Sequence, residues 1–157
     1  MIRCIGFDIE ILPNFFSVTF VSINDYLKVF ADIVNEGKPI PLVQKLTVAE
    51  IKERLDKVEK WQFWITDKDD SLLFPMVDFI NKTAPRREVD GSITRTDLYG
   101  FNSYSYDNLM IAALLSYYIR CDTTKELITR LYETSKIIIN SQNDFEAFKN
   151  DFYLNSP

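Results

Sequence analysis

The chain has 157 residues, of which 46% are apolar and 14% aromatic, so it is long enough and apolar enough to bury a core. A net charge of −5 gives little return from neutralising phosphates, which argues against tight unaided binding to duplex nucleic acid. There is no histidine, and this excludes Ser-His-Asp, Cys-His and His-ligated zinc chemistry. Cys4 and Cys121 sit in no metal or CxxC spacing and read as reduced thiols. Arg3 is followed by a strand pattern rather than an apolar signal segment, and no apolar run approaches about 18 residues. The expected setting is therefore cytoplasmic, the host's if the protein is viral, with no membrane partner.

In chain order, residues 2–11 predict a strand burying Ile5, Phe7, Ile9 and Ile11. Pro13-Asn14 marks a turn, and 15–23 a second strand closing a hairpin. Residues 26–33 alternate and predict a third strand, and 35–38 a loop. Thr47 with Glu50 forms a capping box that opens a helix with Val48, Ile51, Leu55 and Val58 on one face. Residues 61–65 predict a short strand, and 71–83 a helix with Pro75 in its first turn. Asp90-Gly91 marks a hairpin within a surface excursion over 84–96. A strand over 96–103 leads to an apolar helix over 107–119. Thr123 with Glu126 caps a helix running to about Lys136, then comes "IIIN", and a last helix is expected over 143–153. An early hairpin followed by helices implies one mixed α/β domain over 1–157.

The first strand raises a chemical question. Asp8 and Glu10 alternate with the apolar residues and so share a face. If that face is solvated, the pair needs no further explanation. If it is not, two desolvated carboxylates need a cation, and hard divalent ions such as Mg²⁺ and Mn²⁺ prefer all-oxygen sites. A second acid, Asp107, stands at a strand-to-helix junction in "NSYSYDNLMIAALL", where capping is its simplest role.

Together "FDIE" near the start and "NSYSYD" at this junction resemble the motifs of the DnaQ-like 3′→5′ exonuclease superfamily, most closely the proofreading domains of family B and phage-type DNA polymerases. The first motif is matched by Asp8 and Glu10, the second by Asn102, Tyr106 and Asp107. The likeness covers roughly residues 1–24 and 97–119. It implies a ribonuclease-H-like mixed sheet with flanking helices, and two-metal hydrolysis of single-stranded DNA from its 3′ end. By this resemblance Asp8, Glu10 and Asp107 would hold Mg²⁺ or Mn²⁺. Asn102 and Tyr106 would position the 3′ end, although core packing serves equally well for Tyr106. Ile11 and Leu12 would flank the terminal base. The remainder of a DNA polymerase is the implied partner.

The family's third motif, Tyr-x-x-x-Asp or His-x-x-x-Asp, is not matched. Tyr118 and Asp122 have the spacing, but Asp122 falls about 15 residues past Asp107, roughly 20 Å along a helix, whereas the two metals sit about 4 Å apart. Asp144 and Asp151 lack a tyrosine four residues earlier. The expectation is thus an exonuclease domain without its C-terminal element, weak or inactive alone. An alternative is a catalytically silent module of the same fold that binds a partner chain or single-stranded nucleic acid. Trp61, Phe63 and Trp64 are the candidate stacking cluster for that role, against plain core packing.

Overall fold

The computed structural model describes residues 2–34, 46–100 and 106–140. The predicted loop at 35–38, Asn102, and the predicted helix at 143–153 with Asp144 and Asp151 lie outside the described residues. The fold is mixed α/β, with a five-stranded mixed sheet in the order β3-β2-β1-β5-β4 and flanking helices. The strands are β1 (Ile2–Leu12), β2 (Phe15–Ser22), β3 (Lys60–Thr66), β4 (Arg86–Arg87) and β5 (Ile93–Gly100). The helices are α1 (Ile23–Val29), α2 (Ala31–Val34), α3 (Val48–Leu55), α4 (Leu73–Lys82), α5 (Asn108–Tyr118) and α6 (Thr124–Asn140). Among the described residues no helix is long and apolar enough to cross a membrane.

The chain divides into two compact units, one of residues 1–7, 19–62 and 83–99, the other of 8–18, 63–82 and 100–157. In the first unit Ile5, Phe7, Phe20, Phe30 and Val58 are buried, and the Phe7 and Phe20 rings lie 5.9 Å apart. Residues 26–33, expected as a strand, are helical instead. The cause is local. The Ser22 hydroxyl ends β2 by accepting the Asp25 N–H at 3.2 Å, an N-cap that starts α1. Tyr26 and Phe30, one helical turn apart, then stack with centroids 4.6 Å apart. Arg54 of α3 lies over Phe30 and holds Asp32 through two nitrogens at 2.7 and 2.8 Å. The Ser-x-x-Asp signal outweighed a weak alternation.

The Thr47–Glu50 capping box is formed, with both reciprocal hydrogen bonds present. Its helix stops at Leu55, and the expected apolar face is largely exposed: only Val58, beyond the helix, is buried. The 84–96 excursion forms a hairpin in which Arg86 faces Thr94 and Arg87 faces Ile93. Gly91 turns it with φ +83°, in the left-handed region that favours glycine.

In the second unit, β1 alternates as expected at Ile9, which is buried, while Ile11 is only half-buried. Phe16, Val18, Ile65, Met76, Val77 and Ile80 fill the interior, and Phe63 packs against Phe79 at 5.4 Å. Met110, Leu114, Leu127 and Leu131 bury the contact between α5 and α6. The "IIIN" stretch continues α6 rather than leaving it. Leu127, Ile128, Leu131, Ser135 and Ile138 form one buried helical stripe, whereas Ile137 and Ile139 face outward. Tertiary burial at helical period overrides the β preference of three consecutive isoleucines.

Candidate active site

Asp8, Glu10, Ile11, Leu12, Tyr106 and Asp107 all belong to the second unit. Asp8 and Glu10 project from β1 into solvent while Ile9 between them is buried, as strand alternation requires. Ile11 is half-buried, and Leu12, at the end of the strand, is 57% exposed. The two acids therefore stand on a wet surface and carry no desolvation cost of the kind that would force a cation on them.

Asp107 is different. It is 2% exposed, in right-handed helical backbone, and its side chain makes no capping hydrogen bond to α5. The simple capping role is thus not the one it performs. Residues 106 and 107 form a wide π-type turn at the head of the helix, and such turns recur at functional sites. A buried aspartate is rare without a partner, and no buried side-chain nitrogen or oxygen among the described residues lacks one.

Tyr106 links the acids. Its phenol hydrogen-bonds the Ser135 hydroxyl at 2.9 Å. Burial pushes the phenol's pKa up, the Ser135 hydrogen bond opposes this, and the charges of Asp107 and Asp8 push it up further. Asp8 and Asp107 thus both act on one ring. Ser135 is 3% exposed, and its neighbour Thr134 holds the Tyr117 phenol at 3.0 Å. Neither hydroxyl was singled out in the sequence. The available signal was two polar residues on the otherwise apolar stripe of α6.

Among the described residues no three histidine, cysteine, aspartate or glutamate side chains lie close enough together to hold a metal ion. The donor set nonetheless suits a hard cation, since every acid concerned offers carboxylate oxygen. Mg²⁺ is commonly held by one or two carboxylates, with waters and substrate phosphates completing its shell. A preformed Asp8–Glu10–Asp107 cage is not among the described residues.

Asp122 lies beyond the far end of α5 from Asp107, as its sequence spacing requires. It lines a surface groove with Thr66, Asp67, Asp69 and Thr124, where the Thr124 hydroxyl donates to Asp70 at 2.9 Å. Trp61 and Phe63 do not form a free aromatic platform either. Arg3 lies over the Trp61 ring at 4.7 Å, and Phe63 is taken up by Phe79. Trp64 is partly exposed.

No family model matches the chain, and no curated protein or solved structure is detectably similar to it.

Proposed function

We propose that the chain is a divalent-metal-dependent exonuclease domain acting on the 3′ end of single-stranded DNA, with a ribonuclease-H-like fold and the remainder of a DNA polymerase as partner. The observation that carries this reading is Asp107: a buried aspartate, not used as a cap, beside a tyrosine that also feels Asp8. The sequence motifs around Asp8, Glu10 and Asp107 supply the rest of the argument.

In this reading Asp8, Glu10 and Asp107 would supply carboxylate oxygens to Mg²⁺ or Mn²⁺, whose charge would offset their mutual repulsion, with waters and substrate phosphate as the remaining ligands. The metal, when bound, supplies activation of water and stabilisation of the departing 3′ oxygen. Tyr106 keeps its proton at neutral pH, because burial and both acids disfavour the phenolate. It therefore acts as a neutral hydrogen-bonding and packing group, not as a base. Leu12, exposed beside the acids on β1, offers an apolar contact for a terminal base, and Ile11 supports it from its half-buried position. Asn102 keeps its proposed role at the 3′ end on the strength of its motif alone.

The test is Mn²⁺ titration by calorimetry on the chain and on Asp8→Asn, followed by digestion of a 5′-labelled single strand with both samples. Metal binding and 3′ trimming, each lost in Asp8→Asn, is the expected result. Absence of metal binding in the parent chain would sink the nuclease reading. One observation favours a second reading, a catalytically silent module of the same fold: no acid trio is preformed among the described residues. That reading predicts single-strand binding without trimming.

A further inference from the structure

The chain's charge is unevenly spread. Residues 84–95 hold Arg86, Arg87 and Arg95 against Glu88 and Asp90, three positive charges against two and so a local charge of +1 in a chain of −5, with Asp97 just beyond paired to Arg95. Residues 84–95 are all exposed, so these cations lie on a surface hairpin rather than in a core network. Of the two opposing acids, Asp90 is tied into the turn, accepting the Ser92 N–H at 2.9 Å and the Ser92 hydroxyl at 2.6 Å.

The register orders one face of this ribbon. Arg87 stands opposite Ile93, and residues directly opposite in an antiparallel pair share a face. Alternation along β5 then adds Arg95, Asp97 and Tyr99 to that face. The ion pair from Arg95 Nε to Asp97 Oδ1 fits this shared side. It engages Nε, one of the guanidinium's three nitrogens. Ile93 is 67% exposed and Tyr99 52% exposed. Arg95, Leu98 and Tyr99 line a shallow surface groove with Thr83 and Pro85. One face therefore presents Arg87, the aliphatic Ile93, the Arg95–Asp97 ion pair and the aromatic Tyr99 in succession.

We propose that this hairpin face is a single-stranded nucleic-acid binding surface, with Arg87 and Arg95 on phosphates and Tyr99 as a stacking platform. Cations interleaved with an exposed aromatic are the two elements by which proteins hold single strands without reading their sequence. A duplex would withhold its base faces from Tyr99. The surface owes nothing to the acids of β1 and needs no metal, so it stands or falls apart from the nuclease reading.

The experiment is fluorescence anisotropy of a labelled oligothymidylate with the full chain in EDTA, on the Asp8→Asn background as well as the parent. Saturable binding is expected in both, falling with salt between about 50 and 200 mM. Arg87→Glu and Arg95→Glu should each lower the salt slope by about 0.7, the value for one lost single-strand phosphate contact. Tyr99→Ala should weaken binding about tenfold with the slope unchanged, as the loss of a stacked base does. Lys52→Glu, an exposed charge change on α3, is the control for net charge and should do less than either arginine change. All four positions are exposed, so folding is not at stake. No saturable binding, an equal effect of Lys52→Glu, or equally tight binding of a duplex of the same length would overturn the proposal. So would capture by anionic phospholipid vesicles in preference to the oligothymidylate.

Discussion

Tyr106 at the head of α5 and Ser135 on α6 join their hydroxyls at 2.9 Å across 29 residues of sequence. Thr134 binds Tyr117, near the other end of α5, at 3.0 Å. Two adjacent hydroxyls of one helix thus hold both ends of another, and they do so beside the acid that the proposed chemistry requires. A buried hydroxyl that loses its partner costs about 1 to 3 kcal/mol, more than the hydrogen bond contributes net. Tyr106→Phe and Ser135→Ala should each destabilise the protein by about 1 kcal/mol, and the double variant by less than their sum. A urea-denaturation double-mutant cycle reads this directly. Strict additivity would mean that the two hydroxyls do not support each other.

The same tyrosine gives a signature at high pH. Its pKa is raised from the ordinary value of 10.0, chiefly by burial, with Asp107 and Asp8 adding to the shift. A group whose folded pKa lies above its unfolded one contributes stability that is complete below the unfolded value and lost as pH rises through the folded one. The protein should therefore lose stability above about pH 10, and Tyr106→Phe should lose less over that window. Thermal melts at stepped alkaline pH supply the comparison, and parallel curves for parent and variant would refute the assignment. Asp8→Asn should bring the Tyr106 ionisation, followed by ultraviolet absorbance, to lower pH by removing one of the charges that oppose it.

Thr47 and Glu50 test a purely local device. The Thr47 hydroxyl accepts the Glu50 N–H at 3.3 Å while the Glu50 carboxylate accepts the Thr47 N–H at 2.7 Å. Thr47→Ala should cost about 1 kcal/mol, seen as a lower urea midpoint with partial loss of helical circular dichroism. The Thr47 hydrogen bonds hold the Glu50 carboxyl below its usual 4.5. A lowered carboxyl pKa contributes stability above the unfolded value that is lost as pH falls through the folded one. In Thr47→Ala the acid-side decline should flatten, and an unchanged decline would show that Glu50 is held by something else.

How far the sequence alone leads depends on the range of the interaction concerned. The Thr47 capping box, the Asp90-Gly91 hairpin and the β1 alternation around Asp8 and Glu10 are fixed within a few residues, and each is legible in the sequence. Over 26–33 the alternation of eight residues points to a strand, but the cap between Ser22 and Asp25 decides for a helix. The β-branched composition of "IIIN" hides a helical stripe that appears only when Leu127 to Ile138 are read together. The sequence offers Asp107 as a cap, or through its motif as a metal ligand. Its burial is a tertiary property that no pattern within a few residues encodes. The pairing of Tyr106 with Ser135 was illegible for the same reason.

Gly91 is open to a sharper test than global stability. Its φ of +83° disfavours any side chain with a Cβ, although nothing lies within 4 Å of where one would stand. The cost of Gly91→Ala is therefore backbone strain alone, about 1 kcal/mol. Because the hairpin is exposed, that cost should appear as local opening. Exchange protection of the Glu88 N–H, which donates to the Ser92 carbonyl at 2.8 Å, should fall about fivefold while the global melt is unmoved. Gly91→Asn, a residue that tolerates the left-handed region, should fall less. An equal effect of both substitutions would show that side-chain bulk, not φ, sets the turn.

Asp8 and Asp107 differ in burial, and this separates their structural and chemical roles. Asp8 is solvent-exposed and its loss removes little packing, so Asp8→Asn should melt within about 0.5 kcal/mol of the parent in EDTA. Asp107 is interior, and Asp107→Ala removes a buried group together with its hydrogen bonding, so it should destabilise by about 1 to 3 kcal/mol under the same conditions. A metal that binds only the folded chain adds about 2.7 kcal/mol when present at 100 times its dissociation constant. If both carboxylates hold that metal, Mn²⁺ should raise the parent's melting temperature but leave both variants where EDTA leaves them. The decisive comparison is Asp8→Asn, which begins as stable as the parent and so cannot lose the response through unfolding. A full Mn²⁺ shift in that variant would remove Asp8 from the site, and with it the argument that the first-strand acids serve chemistry rather than simply facing water.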